Sequence, residues 1–345
     1  MAKRAIVLFN LGGPDSPEAV QPFLNNLFKD PAIIGLPGLI RIPLAKLIST
    51  RRAHVAKEIY AHLGGKSPLL PLTQEQSSAL TVSLTQDNPN NIYRVFIAMR
   101  YWHPFSEETV QDVKEFDPDE ILLLPLYPQF STTTTGSSLT DWKKAARQAG
   151  VQKPTYTVCC YPIDENWAAG QAELLETQID SLETGQKYRV LFSAHGLPKK
   201  IVDRGDPYQW QVEQSALAVA KAAALAEGCW TVCYQSRVGP LEWIGPSLDD
   251  ALKCAAAEGL AVVVLPIAFV SEHSETLVEL DIEYKENAQK LGIPDYKRVP
   301  ALGTHPSYVE GLRNIVITAF SQKIEMGPPE NTRYCPADTG KCLCT

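Results

Sequence analysis

Seven short apolar runs rich in β-branched and aromatic residues recur along this chain, separated by longer stretches with the three-to-four-residue apolar period of helices. They are Ala5–Leu11, Tyr93–Met99, Glu120–Leu126, Thr155–Cys160, Arg189–Ser193, Thr231–Tyr234 and Ala261–Ile267. Ser106–Glu115, Glu165–Leu182, Gln209–Glu227 and Ser274–Leu291 read as helices, and Thr73 with Gln76 as a capping box opening another. A helix-length crossover returns a chain to the same sheet in parallel, so the alternation predicts βαβ units and an α/β fold. The strands fall into two sets with a seam near Ala149–Pro154. The expectation is two Rossmann-like domains, residues 1–150 and 151–304, each a parallel sheet flanked by helices. A C-terminal helix at about 305–326 is expected to pack back on the first domain, and residues 327–345 form a cysteine-bearing tail.

With 345 residues and 45% apolar content, the chain can bury two cores of ordinary size. A net charge of −7 without a basic block argues against nucleic acid. No apolar run reaches membrane-spanning length, and Asn10 and Gly12-Gly13-Pro14 interrupt the N-terminal one too soon for a signal peptide. A cytoplasmic, reducing setting is expected, where the eight cysteines serve as thiols or metal ligands.

The unusual residues follow strands, at the carboxyl edge where open α/β sheets bind ligands. They include Leu11-Gly12-Gly13-Pro14, Arg100-Tyr101-Trp102-His103-Pro104, His195 within Ser193–Pro198, Gln235-Ser236-Arg237 and the Glu272-His273 corner. Two such halves facing each other would enclose a cleft for a sizeable, partly apolar ligand. Neither GxGxxG after the first strand nor GxxxxGK[ST] anywhere is present, which disfavours nucleotides. The segment after the last run is the most pointed signal: Glu275, Glu279 and Glu283 share one helix face, with no Lys or Arg four residues from any of them. Such acids repel by ~0.2–0.5 kcal/mol per pair. Asp281 with Lys285 and Glu286 with Lys290 already supply outward pairs, so the stripe, with His273 beside it, reads as a metal or proton path. A solvated acidic face is the competing reading.

These motifs, in this order and over nearly the whole chain, resemble the ferrochelatases, which insert ferrous iron into protoporphyrin IX to make heme. Asn10–Pro14, Met99–Pro104, Tyr127–Ser131 with Gly136-Ser137-Ser138, Phe192–Pro198, Gly205–Tyr208, Gly239–Pro246 and residues 269–284 carry the resemblance. It implies a chelatase-type fold and names roles. His195 and Glu275 would be catalytic. Together with His273, Glu279 and Glu283 they would receive iron or pass protons. Leu11, Arg51, Arg52, Tyr60, Ser67, Arg100, Tyr101, Trp243 and Phe269 would line the porphyrin, with Arg51, Arg52 and Arg100 on its propionates. Leu11 resembles protoporphyrin-using members rather than coproporphyrin-using ones, where a tyrosine is expected. A chelatase for another tetrapyrrole, such as coproporphyrin III, and a non-enzymatic porphyrin or heme carrier are the alternatives.

Cys335, Cys342 and Cys344 form C-x6-C-x-C in the tail, a soft thiol set suited to zinc or to a four-thiolate [2Fe–2S] centre with one ligand from elsewhere, with a disordered, metal-free tail as the competing reading. Some bacterial ferrochelatases resemble this chain in having such a tail and an internal cysteine, here Cys159 or Cys160. Adjacent strand residues point oppositely, so only one of the pair is expected to reach the cluster, and the sequence does not say which. Cys229, Cys233 and Cys254 read as buried and apolar. The Ile- and Leu-rich segment Pro31–Ile48 reads either as an active-site lip that touches membrane or as an ordinary packed helix. Oligomeric state is not legible.

Overall fold

The computed structural model describes residues 1–237 and 239–344. Two compact units emerge, one of residues 1–160 with 312–333 and 344, the other of residues 161–311 with 334–343.

The first unit runs β1 (Lys3–Asn10), α1 (Val20–Lys29), α2 (Gly38–Ala61), α3 (Leu69–Asp87), β2 (Ile92–Met99), α4 (Ser106–Phe116), β3 (Glu120–Pro125), α5 (Thr135–Ala149), β4 (Thr155–Thr157). Its four strands are all parallel, in the order β2-β1-β3-β4. The second unit runs α6 (Glu165–Asp180), β5 (Tyr188–His195), α7 (Lys199–Val202), α8 (Tyr208–Ala222), β6 (Trp230–Gln235), α9 (Leu248–Ala257), β7 (Ala261–Pro266), a π-helix (Glu275–Tyr284), α10 (Lys285–Lys290), β8 (Tyr296–Arg298). Its sheet is again parallel, in the order β6-β5-β7-β8. Helix α11 (Pro306–Gln322) then leads from the second unit into the first.

The paired centres of both sheets explain the apolar runs. Ala5–Phe9 in β1 and all six residues of β7 are buried, as strands covered by helices on both faces must be. The predicted α/β class with two parallel, helix-flanked sheets is what the chain forms.

Local differences have physical causes. Strand β8 escapes sequence reading because it is three residues long with one buried side chain, Tyr296. The capping-box reading of Thr73 is wrong: α3 opens at Leu69, and Thr73 lies inside it, donating to Leu69 O at 2.7 Å and accepting from Asn10 Nδ2 at 3.0 Å. β4 stops at Thr157, so Cys159 and Cys160 are not strand neighbours and need not point oppositely. Cys254 is exposed and Cys229 half-buried; of the three cysteines read as buried, Cys233 alone is. The segment predicted as one α-helix from Ser274 begins as a π-helix, a rare form frequently found at functional sites.

Candidate functional site

In the second unit the ends of β5, β6 and β7 bring together much of what the sequence singled out. His195 closes β5, with its Nδ1 2.6 Å from the Gly196 carbonyl. A carbonyl only accepts, so Nδ1 carries a proton, and in the neutral form of the ring the lone pair is on Nε2. That Nε2 faces Glu275 Oε1 at 3.8 Å. Tyr208 steadies the turn by donating to His195 O at 3.2 Å. Gly196 has no room for a side chain: a Cβ would lie 2.9 Å from Gln235 O and 3.2 Å from Trp243 Cε3. This close approach sets Trp243 beside the histidine loop, where Pro198 and Trp243 form an isolated β-bridge.

The acid line is held from β6. Glu279 accepts from Ser236 N at 2.9 Å, Ser236 Oγ at 2.5 Å and Gln235 Nε2 at 3.1 Å, while Ser193 Oγ donates to Gln235 Oε1 at 2.8 Å. Ser236 adopts φ +58°, a left-handed conformation uncommon for serine, which aims both its donors at the carboxylate. Burial raises the Glu279 pKa, the Glu275 charge raises it further, and the Ser236 and Gln235 hydrogen bonds oppose both. Glu283 is exposed at the outer end of the line.

Burial pushes the His273 pKa below its ordinary value, leaving a neutral imidazole at pH 7. Its ring meets Phe269 edge-on at 4.4 Å. His273 Nδ1, Glu275 Oε2 and Trp243 Nε1 are buried without a hydrogen-bond partner. Buried polar atoms are nearly always paired, so these three are the polar groups of this segment best suited to meet a ligand.

Arg298, on β8, secures this segment from behind. It binds Asp281 through Nε and Nη2, both at 2.7 Å, and Glu272 Oε1 through Nη1 at 2.7 Å. Glu272 Oε1 also accepts from Ala301 N at 2.9 Å. Burial alone would raise the Glu272 pKa, but the Arg298 charge and these hydrogen bonds hold it below the usual carboxylate value. Glu286 does pair with Lys290, at 3.6 Å, but Asp281 is bound to Arg298, not to the Lys285 that spacing suggested. Arg298 carries no signature in the sequence, since its partners lie 17 and 26 residues away. Gln235 and Ser236 were visible only as residues following a strand.

In the first unit, Tyr60 and Ser67 are buried beside the first loop, where a Cβ on Gly13 would lie 2.4 Å from Ser67 Oγ. Leu11 is half-buried, and Arg51 and Arg52 are exposed, with Arg52 over the Phe28 ring at 6.0 Å. Arg100 and Tyr101 are differently placed from a ligand-lining expectation. The Arg100 guanidinium binds buried Asp30 at 2.8 Å and Ser137 Oγ at 2.6 Å. Tyr101 has no exposed surface and donates to the same carboxylate at 2.9 Å. Ser137 adds a short hydrogen bond to Asp30. Asp30, 70 and 71 residues from Arg100 and Tyr101, had no signature in the sequence.

Among the cysteines, Cys159 Sγ lies 3.4 Å from both Cys160 Sγ and Cys344 Sγ, and all three are buried. The turn after Cys335 docks on Gly205, at φ +93°, where a Cβ would come within 2.7 Å of Gly340 N. Lys341 N donates to Gly205 O at 3.0 Å, and Cys342 N to Thr339 O at 3.1 Å. The thiols are thus soft donors on an ordered, docked tail. Among the described residues, no three His, Cys, Asp or Glu side chains are gathered closely enough to hold a metal ion as they stand.

Residues 3–320 match the sequence model of the ferrochelatases. The chain belongs to the ferrochelatase family. It is 53% identical to the ferrochelatase of Caulobacter vibrioides (strain NA1000 / CB15N) over 342 residues, covering 99% of this chain and 97% of that protein. It is 48% identical to that of Pelagibacter ubique (strain HTCC1062) over 344 residues, covering 99% and 98%. The fold also resembles SirB from Bacillus subtilis with Fe3+, at TM-score 0.55 and 10% identity, covering 94% of this chain and 99% of that one. As a ferrochelatase the chain is a metal chelatase that inserts iron into porphyrin in heme synthesis.

Proposed function

We propose that the porphyrin is protoporphyrin IX and that His195 and Glu275 carry the chemistry. The observation behind this reading is the paired geometry in the second unit: His195 Nε2 faces Glu275 at 3.8 Å, and the other oxygen of Glu275 has no hydrogen-bond partner. Iron insertion exchanges one Fe²⁺ for two pyrrole protons. It therefore requires a base that accepts protons and carboxylates that tolerate both a cation and a proton. His195 takes a proton at Nε2, Glu275 stabilises the resulting imidazolium, and His273, Glu279 and Glu283 extend the path for iron inward or protons outward. Neutral His273 adds a nitrogen donor of borderline softness suited to ferrous iron. Trp243 and Phe269 offer apolar surface to the macrocycle, as do Leu11 and Tyr60, with the Ser67 hydroxyl beside them. Arg51 and Arg52, exposed and in no ion pair among the described residues, suit the propionates. Arg100, tied to Asp30, and buried Tyr101 brace the region instead.

Leu11 supports protoporphyrin over coproporphyrin. Anaerobic absorbance assays with Fe²⁺ and each porphyrin test this. Faster collapse of the protoporphyrin bands is expected, whereas a preference for coproporphyrin III would overturn the assignment. A carrier would bind protoporphyrin and leave it unmetallated.

The cysteines fit a [2Fe–2S] cluster in donor chemistry: Cys335, Cys342 and Cys344 with Cys159, which touches Cys344. When bound, such a cluster supplies one-electron chemistry and a tie for the tail. No helix among the described residues is long and apolar enough to cross a membrane. Leu36, Leu39, Ile40, Ile42 and Leu47, all exposed on or beside α2, with Arg41 and Lys46 among them, support a peripheral contact with anionic lipid. Flotation with phosphatidylserine vesicles, lost in Leu39→Asp, checks it.

A further inference from the structure

We propose that Gln211 is a positioning residue for the Cys335 sulfur, and that its side-chain amide sets how readily a cluster held by that thiolate accepts an electron. The inference rests on the [2Fe–2S] reading above. Gln211 sits in the first turn of α8 and has no exposed surface. Burying an amide is costly without partners, so the place where its donor points is informative. Gln211 Nε2 lies 3.1 Å from Cys335 Sγ, which is itself buried.

A neutral thiol is a weak acceptor, whereas a thiolate is charged and gains much more from an N–H. The amide is therefore matched to the sulfur in its metal-ligating form. A second observation shows that the pair is built in. The turn bearing Cys335 and Cys342 seats on Gly205, through Lys341 N to Gly205 O and a close approach that any side chain at Gly205 would block. Gly205 leads directly into α8 through Asp206, which is buried and accepts from Tyr208 N at 3.0 Å. One local structure thus fixes both the sulfur and its donor.

Hydrogen bonds to cluster sulfurs are among the features that set reduction potential. Reduction adds one electron and no proton, leaving the cluster more negative, so the N–H stabilises the reduced form more than the oxidised one. Loss of the donor should lower the midpoint potential. The expected effect is about tenfold in the reduction equilibrium, which is ~59 mV for a one-electron couple.

The test uses full-length protein isolated anaerobically. Iron and acid-labile sulfide are assayed first, followed by a dye-mediated dithionite titration read by electron paramagnetic resonance. Wild type, Gln211→Met, which keeps shape and loses the donor, and Gln211→Glu, which brings an acid toward the sulfur, are compared. A fall in potential for Met, and a larger fall for Glu, at similar cluster content, is the expected result. Full cluster content with an unchanged potential in Gln211→Met overturns the role of Gln211 and leaves the cluster reading intact. Absence of labile sulfide from reconstituted wild type overturns the cluster reading and this inference with it. Should the variants not fold, wild type labelled with ¹⁵N in glutamine alone gives the answer. The reduced cluster should then show coupling to one side-chain nitrogen, and its absence refutes the proposal.

Discussion

Replacing Arg298 by methionine removes the charge that two half-buried carboxylates share. The Arg298 side chain is 10% exposed, and its three bonds to Asp281 and Glu272 are each 2.7 Å. Removing one partner of a buried ion pair costs ~3–5 kcal/mol, because the charge left behind has lost its compensation. Asp281 is 35% and Glu272 22% exposed, so water recovers part of that, and about 3 kcal/mol is the expected loss. Urea unfolding followed by circular dichroism measures it. The double variant Arg298→Met with Asp281→Leu should be less destabilised than the two single losses summed, because the orphaned charge is gone. The π-helix carrying Glu275 and Glu279 is pinned through Asp281, so hydrogen exchange in residues 272–284 should quicken in Arg298→Met before exchange elsewhere in the second unit. A single variant within about 0.5 kcal/mol of wild type, or strictly additive losses, would show that Arg298 does not compensate these carboxylates.

Three further outcomes are expected. Ser247 caps α9 by accepting from Asp250 N at 3.1 Å and donating to Asp250 Oδ2 at 2.6 Å, so Ser247→Ala should cost ~1 kcal/mol at pH 7. The Ser247 hydrogen bond lowers the Asp250 pKa. The carboxylate's share of that cost is therefore present above the ordinary aspartate range and lost as pH falls through the folded value, and denaturant titrations from pH 7 to pH 3 should show the gap narrowing. Burial pushes the Cys233 thiol up to about 12, so at pH 8 it is protonated and should resist a thiol reagent that labels exposed Cys254, until urea unfolds the chain. Gly205→Ala places a Cβ against Gly340 N and strains a residue at φ +93°, so limited proteolysis should cleave the tail faster than in wild type.

Much of the fold was legible because parallel strands covered on both faces are apolar where they are covered, as Ala5–Phe9 of β1, Ile121–Pro125 of β3 and all of β7 are. Short edge elements carry no such signal, which is why β8 passed unseen and β4 was drawn three residues too long. The π-helix was hidden because its acids keep four-residue spacing whether the backbone bonds run to i+4 or i+5. At the site, His195, His273, Glu275 and Glu279 were legible from their position after strands and their unusual company. Their supports were not. Arg298, Asp30 and Gln211 act on partners brought near only by folding, 124 residues away for Gln211 and Cys335. The charge stripe read as unpaired proved half right: Glu279 is offset by Ser236 and Gln235, neither of them a cation, while one oxygen of Glu275 is left open.

The proposed roles of His195 and Glu275 in metallation can be read in one experiment, single-turnover iron insertion into bound porphyrin, followed anaerobically in wild type, His195→Ala and Glu275→Gln. General-base catalysis contributes ~10²–10⁴-fold, so each variant should bind porphyrin with near-normal affinity and insert iron at least ~100-fold more slowly. Insertion within tenfold of wild type in either variant, with porphyrin binding intact, would contradict the account.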